Sequence, residues 1–177
     1  ELQLNVLDQI ENPAFVVCDT MNFWIDGKRD ALLELLKRTD VLMVNDSEAL
    51  QLSEEHNVYR AASWILRHGP RTAVIKQGGY GAFLLDEGRV FYVPALPIED
   101  VVDPTGAGDS FAGGFMGHVA RTGDFSHATL RQAMVYGAAM GAFAVERFSI
   151  ERFDGISLDE VAERVQRFAD LVMFEVG

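Results

Sequence analysis

Asp103-Pro104-Thr105-Gly106-Ala107-Gly108-Asp109-Ser110-Phe111 is the stretch on which the fold and its chemistry turn. It is read as the place where a strand ends and a helix begins. Gly106 and Gly108 carry no side chain to block close approach, so successive backbone N–H groups can converge on an anion at the positive end of the helix. Asp109 falls in the first helical turn, where its carboxylate can take a proton from a hydroxyl attacking a phosphoryl group held by the same turn. A plain glycine-rich turn has the same composition, with Asp109 merely favouring the helix dipole by about 0.3–1 kcal/mol.

Upstream of this turn the chain alternates strands and helices. Ala14 to Asp19 contains the apolar run Phe15, Val16, Val17, Cys18 and is predicted as a strand buried on both faces. Asp30 to Arg38 places Leu32, Leu33, Leu35 and Leu36 at helical spacing, and Val41 to Val44 repeats the short buried-strand pattern. Ala61 to His68 reads as a helix stopped by Gly69-Pro70, followed by a β-branched strand over Thr72 to Ile75. Repeated β-α-β order implies a parallel sheet. At Gly81 the pattern changes: Ala82 to Leu85 and Val90 to Val93 flank Asp86-Glu87-Gly88-Arg89, a β-hairpin at the sheet edge.

Downstream the chain is helical. A small-residue helix is predicted over Gly106 to Arg121, a second over about Ala128 to Val145 and an amphipathic one over Leu158 to Phe168. With no linker, repeat or low-complexity tract, residues 1–177 are expected to form a single domain.

Composition bounds the chemistry. The 177 residues are 49% hydrophobic and 24% charged, enough to bury a real core. No apolar run reaches the roughly 18 residues a spanning helix needs, and Glu1 to Glu11 lacks the order of a signal peptide, so no membrane and a cytoplasmic setting are expected. Cys18, the single cysteine, excludes an intrachain disulfide and reads as a small buried residue. A formal net charge of −12 argues against nucleic acid as a partner, since phosphate neutralisation needs clustered Lys and Arg. An anionic ligand must be gripped locally by amides, a few cations and a divalent metal. His56, His68, His118 and His127 have no spacing that builds a transition-metal site and are read as surface or core residues.

The 103–109 stretch resembles the D-[TP]-[TV]-G-A-G-D signature of the ribokinase/PfkB carbohydrate kinase family, and neither G-x-x-x-x-G-K-[ST] nor G-x-G-x-x-G occurs as an alternative. Other segments are similar to that family's motifs. Asn45-Asp46-Ser47-Glu48 looks like N-x-x-E, which acts on Mg²⁺ and the phosphates; a helix start with Asp46 or Ser47 as N-cap explains the same residues. Lys76-Gln77-Gly78-Gly79-Tyr80-Gly81 resembles T-x-G-x-x-G, which lines the nucleotide phosphates, with Lys76 standing where many relatives have Thr. Asp19-Thr20-Met21-Asn22-Phe23-Trp24 is similar to D-x-N-x-[WR], giving Asp19 or Asn22 a phosphate or substrate contact, or else capping and burial of Trp24.

The resemblance implies an α/β, ribokinase-like Rossmann-type sandwich with a mainly parallel sheet, an edge hairpin and flanking helices. It implies ATP-dependent phosphorylation of a sugar hydroxyl, with Asp109 as base, an anion hole over Gly106, Ala107, Gly108 and Asp109, and Mg²⁺ linked through Glu48. Asn45, Lys76, Gly78 and Gly81 are its phosphate-side residues. Val93 to Pro97 and the helix carrying Gly137, Ala138 and Gly141 are its adenine side, although such small residues also serve close helix packing. Asp103 and Thr105 match part of a monovalent cation site for K⁺, and Glu146-Arg147-Phe148-Ser149 departs from the Gly-containing turn of many relatives there. A nucleoside acceptor, or a nucleotide-binding fragment without catalysis, fits the same motifs. The match aligns with the C-terminal part of a family member, without the opening strands and lid that hold the acceptor. A half-sheet with an apolar open edge is compatible with a homo-oligomer.

Overall fold

A computed structural model describes residues 2–173 and 175. Five strands form one sheet in the order β1-β2-β3-β4-β5: Val17–Asp19, Val41–Asn45, Thr72–Lys76, Gly81–Asp86 and Arg89–Pro94. Between and around them lie helices α1 (Leu2–Leu7), α2 (Asn22–Gly27), α3 (Arg29–Leu36), α4 (Asp46–Ser53), α5 (Val58–Arg67), α6 (Ala107–Thr122), α7 (His127–Ala144) and α8 (Leu158–Val172). The α/β architecture with a mainly parallel sheet and an edge hairpin is as expected. β1 pairs parallel with β2 and β2 with β3, while β4 and β5 are joined through Glu87 and Gly88, both at positive φ as a tight hairpin turn demands.

The described residues group into two compact units. One runs through Gln77 and includes Phe83–Phe91; the other comprises Gly78–Ala82 and the chain from Tyr92 onward. In the first, Cys18, Leu42, Val44, Ala73 and Ile75 alternate along β1, β2 and β3 and meet Leu32, Leu35 and Leu36 of α3 and Ala61, Ala62 and Ile65 of α5 in one core. Each buried Leu or Ile is worth about 1.5–3 kcal/mol of apolar burial. Burial pushes the Cys18 thiol up to about 12, with Asp19 adding to the effect, so it is an inert core residue. In the second unit α6 packs along α7 through Phe111, Phe115 and Val119, and α8 packs on α7.

Several boundaries differ from expectation. β1 begins at Val17, and its ends are only half-buried. The Val16 amide donates to Asp40 Oδ2 at 2.8 Å, and its carbonyl accepts from both Asp40 and Val41, so this part of the run is anchored by a side chain instead of a ladder. α5 starts earlier, where the Asn57 side chain accepts from the Tyr59 and Arg60 amides. The residues before the 103–109 turn form no strand: β5 ends at Pro94, Val101 and Val102 are exposed, and Val102 N bonds the carbonyl of Val145 at the end of α7. No described helix is long and apolar enough to cross a membrane.

Candidate functional site

At the C-terminal ends of β1, β2 and β3, one unit gathers Asp19, Asn45 and Lys76. Asn45 lies opposite Lys76 in the β2–β3 register. It also starts α4, in place of Asp46 or Ser47: Asn45 Oδ1 accepts from the Glu48 amide at 2.8 Å and Glu48 Oε2 accepts from the Asn45 amide at 2.9 Å, a reciprocal capping box. Ser47 Oγ also donates to Asn45 Oδ1 at 2.7 Å. The two polar residues of N-x-x-E therefore fix each other, and Glu48 is buried. Burial pushes its carboxyl above the usual range, against the opposing pull of the Asn45 amide and of Lys76.

Lys76 Nζ donates to Asp19 Oδ2 at 2.6 Å, so the cation that stands in the place of a hydroxyl is held by a carboxylate. Asp19 Oδ1 accepts from the Thr20 amide. The sequence carries no signal joining residues 57 apart; only the shared position at parallel strand ends brings them together. Asn22 opens α2 and donates to Gln51 Oε1 at 2.6 Å. Trp24 is 41% exposed against the edge of an exposed Phe23, so the burial alternative for this segment does not hold.

In the other unit the 103–109 turn builds the N-terminus of α6. Gly106 is the N-cap at φ +78°, a conformation that side chains disfavour. The Ala107 amide is engaged by the Pro104 carbonyl at 3.2 Å and that of Ser110 by the Gly106 carbonyl at 2.8 Å. The amides of Gly108 and Asp109 have no acceptor among the described residues, leaving two donors at the positive helix end. The Asp109 carboxylate stands exposed on this first turn. Asp103 Oδ1 accepts from the Thr105 amide at 2.9 Å, and hydrogen bonding from the Thr105 backbone and side chain holds its carboxyl below the usual range.

Gly78 opens a 3-10 turn over Gly78–Tyr80, and Gly81, at φ +116°, begins β4. A Cβ at Gly81 would lie 2.2 Å from the Val93 carbonyl oxygen, so the backbone contact of the two hairpin strands requires glycine. Val93 is buried and Ala138 half-buried. Gly137 and Gly141 lie where α7 backs onto α6: a Cβ on Gly137 would meet the Phe111 carbonyl at 2.8 Å, and one on Gly141 the Ala107 carbonyl at 3.3 Å. Among the described residues no three or more His, Cys, Asp or Glu converge as a metal cage. A hard divalent ion here would need one or two carboxylates plus phosphate and water oxygens, a coordination typical of Mg²⁺.

Residues 5–152 match the pfkB family carbohydrate kinase. The chain belongs to that family. It is 40% identical over 96 residues to the cytidine kinase of Thermococcus kodakarensis, covering 53% of this chain and 34% of that protein. To the aminoimidazole riboside kinase of Salmonella typhimurium it is 37% identical over 123 residues, covering 67% of this chain and 38% of that one. The crystal structure of aminoimidazole riboside kinase from Salmonella enterica, complexed with aminoimidazole riboside and an ATP analog, superposes with a TM-score of 0.73 at 29% identity, over 85% of this chain and 52% of that one. The chain thus spans roughly a third to a half of the length of the relatives it matches.

Proposed function

We propose that this chain is the ATP-side, catalytic portion of a kinase that phosphorylates a sugar hydroxyl. The observation that carries the reading is the start of α6, where a left-handed Gly106 cap leaves the Gly108 and Asp109 amides unengaged beside the Asp109 carboxylate. When bound, ATP with Mg²⁺ supplies the phosphoryl group and neutralises charge on its oxygens. Asp109 accepts the proton of the acceptor hydroxyl as that oxygen attacks, and the two amides donate to oxygen that gains charge. The Ala107 amide, spent on Pro104, supports the turn.

Glu48 retains Oε1 for a metal-bound water while Oε2 is spent on the Asn45 amide. Lys76, Gly78 and Gly81 serve the phosphates, Val93 and Ala138 border the adenine, and Asp103 with Thr105 offers oxygens to K⁺. The setting is cytoplasmic. A nucleoside acceptor is the second reading, favoured because the relatives at 40% and 37% identity are named for cytidine and aminoimidazole riboside. Turnover on a panel of sugars and nucleosides separates the two.

Asp109→Asn in the whole kinase tests the base. It preserves size and removes the proton acceptor, so phosphoryl transfer is expected to fall by about 10²–10⁴-fold, while ATP·Mg²⁺ binding by calorimetry stays within about threefold. Retained turnover refutes the assignment. ATP·Mg²⁺ binding by this chain alone, without turnover, separates a binding portion from the complete catalyst.

A further inference from the structure

The Asp19–Lys76 pair crosses a strand. Opposed residues of a parallel sheet share a face, as do residues two apart along a strand. The registers Asp19↔Met43, Met43↔Val74 and Asn45↔Lys76 therefore put Asp19, Met43, Asn45, Val74 and Lys76 on one face, opposite the one carrying the Cys18, Leu42 and Ala73 core. β1 and β3 are separated by β2, a distance of roughly 9.5 Å from two strand spacings. The 2.6 Å contact between Nζ and Oδ2 thus bridges over the end of β2.

The Lys76 side chain is 15% exposed and that of Asp19 29%, so the pair is partly withdrawn from water at a desolvation cost. An apolar pair of similar bulk would serve the sheet at least as well. A fixed cation, unlike an apolar pair, offers donors to an anion. An ammonium has three N–H donors, and Asp19 Oδ2 is its hydrogen-bond partner among the described residues. Next to Asp19, Thr20 Oγ1 is buried without a partner among the described residues, a second polar group at the end of β1 whose bonding is incomplete.

We propose that Asp19 is a positioning residue: its carboxylate stretches the Lys76 side chain across the end of β2, beside the Asn45–Glu48 box, and aims the remaining N–H donors at a phosphate of the nucleotide. This rests on the kinase reading. A lysine stem is flexible, and without the carboxylate the ammonium would sample water-facing rotamers and lose most of its directional value.

The test uses Asp19→Asn, Lys76→Met and the double variant in the whole kinase, with steady-state kinetics and calorimetry of ATP·Mg²⁺. Asp19→Asn is expected to raise KM and Kd for ATP on the order of tenfold, the scale of one charge-assisted hydrogen bond. The loss should fall on the ATP KM rather than on kcat or the acceptor KM, because in this proposal Asp19 acts through Lys76 on the nucleotide alone. Lys76→Met should weaken ATP at least as much, and adding Asp19→Asn to it should change nothing further, since one residue acts through the other. Multiplying effects, or a shift confined to the acceptor KM, overturn the proposal. A wild-type kinase that binds no ATP sinks the kinase reading itself, whereas normal wild-type binding left unchanged by Asp19→Asn sinks only the positioning role. Should Asp19→Asn fail to fold, Asp19→Ser, which likewise removes the carboxylate, carries the same test, with an ATP KM equal to wild type as the overturning result.

Discussion

Glu48 and Asn45 each satisfy the other's backbone amide, at 2.9 and 2.8 Å, so the residues we propose to serve metal and phosphate also set where α4 begins. The two roles are separable by chemistry. Glutamine keeps an oxygen able to complete the capping box but carries no charge. Glu48→Gln is therefore expected to leave the melting temperature within a few degrees of wild type, an effect of about 0.5 kcal/mol or less. In the whole kinase it should raise the Mg²⁺ concentration needed for half-maximal activity by about tenfold. Glu48→Ala should add a stability loss of about 0.5–2 kcal/mol through the opened cap. A glutamine variant with wild-type Mg²⁺ dependence would leave Glu48 a purely structural residue.

The glycines of α6 divide by what stands opposite them. A Cβ on Gly114 would lie 2.7 Å from both the Tyr136 carbonyl oxygen and Met140 Cγ, and the backbone oxygen can yield only by moving α7. Gly117 has nothing within 4 Å of the same atom. Gly114→Ala is expected to destabilise by about 1–3 kcal/mol through overpacking. Gly117→Ala should stabilise by about 0.5–1 kcal/mol, because it restricts the unfolded chain at an exposed helical position. Chemical denaturation midpoints at constant slope give both signs, and equal shifts would refute this account of the helix contact.

How far the sequence carried the reading depends on the range of the forces. The strands Val41 to Val44 and Thr72 to Ile75, the hairpin and the long helices α6 and α7 were legible, because apolar periodicity and glycine punctuation act within a few residues. The short helices α1 and α2 were not, since two turns leave little periodic signal; the start of α4 was legible as an alternative reading, with its cap one or two residues late, at Asp46 or Ser47 instead of Asn45. The Asp19–Lys76 bridge was illegible for a different reason: its partners meet only after the sheet orders β1, β2 and β3. Likewise, spacing placed Gly137 and Gly141 on one helix face, but only the packed α6 shows that Phe111 and Ala107 fill it.

Glu146, in the stretch that departs from the family's glycine turn, fastens the last segment of the chain. Arg152 Nε donates to Glu146 Oε2 at 2.9 Å, Arg164 Nη1 reaches Oε1, and both guanidiniums lie over the Phe143 ring. Burial alone would push the Glu146 carboxyl up, but the hydrogen bonds and charges of Arg164 and Arg152 together bring it below its ordinary value. A carboxylate with a depressed folded-state pKa contributes stability that is present above its unfolded value, about 4.3, and is lost as pH falls through the folded one. Glu146→Gln should cost about 1–3 kcal/mol at neutral pH, since two partly buried arginines lose their counter-charge. The deficit against wild type should shrink as pH drops below about 4, where wild type loses the same charge. A deficit unchanged down to pH 3 would assign the loss to packing.

His118 sets a second pH dependence, nearer neutrality. Its ring is buried and stacked on Tyr136 of α7 at 4.4 Å, with Nε2 3.2 Å from Gln132 Oε1 and Nδ1 3.3 Å from Arg121 Nη2. Arginine can only donate, so Nδ1 must accept and Nε2 carries the proton toward Gln132, which fixes the neutral tautomer. Burial lowers the His118 pKa, the Gln132 bond opposes this and the Arg121 charge adds to it. Protonation would set a second cationic donor against Arg121. The unfolded chain therefore binds more protons than the folded one from about pH 6.5, the ordinary histidine value, downward to the folded pKa. Stability is fully present above that window and falls as pH drops through it. His118→Gln, which cannot take up a proton, should flatten the melting-temperature profile between about pH 6.5 and 5, and an unaltered slope in that variant would show that the α6–α7 contact is indifferent to the charge of this ring.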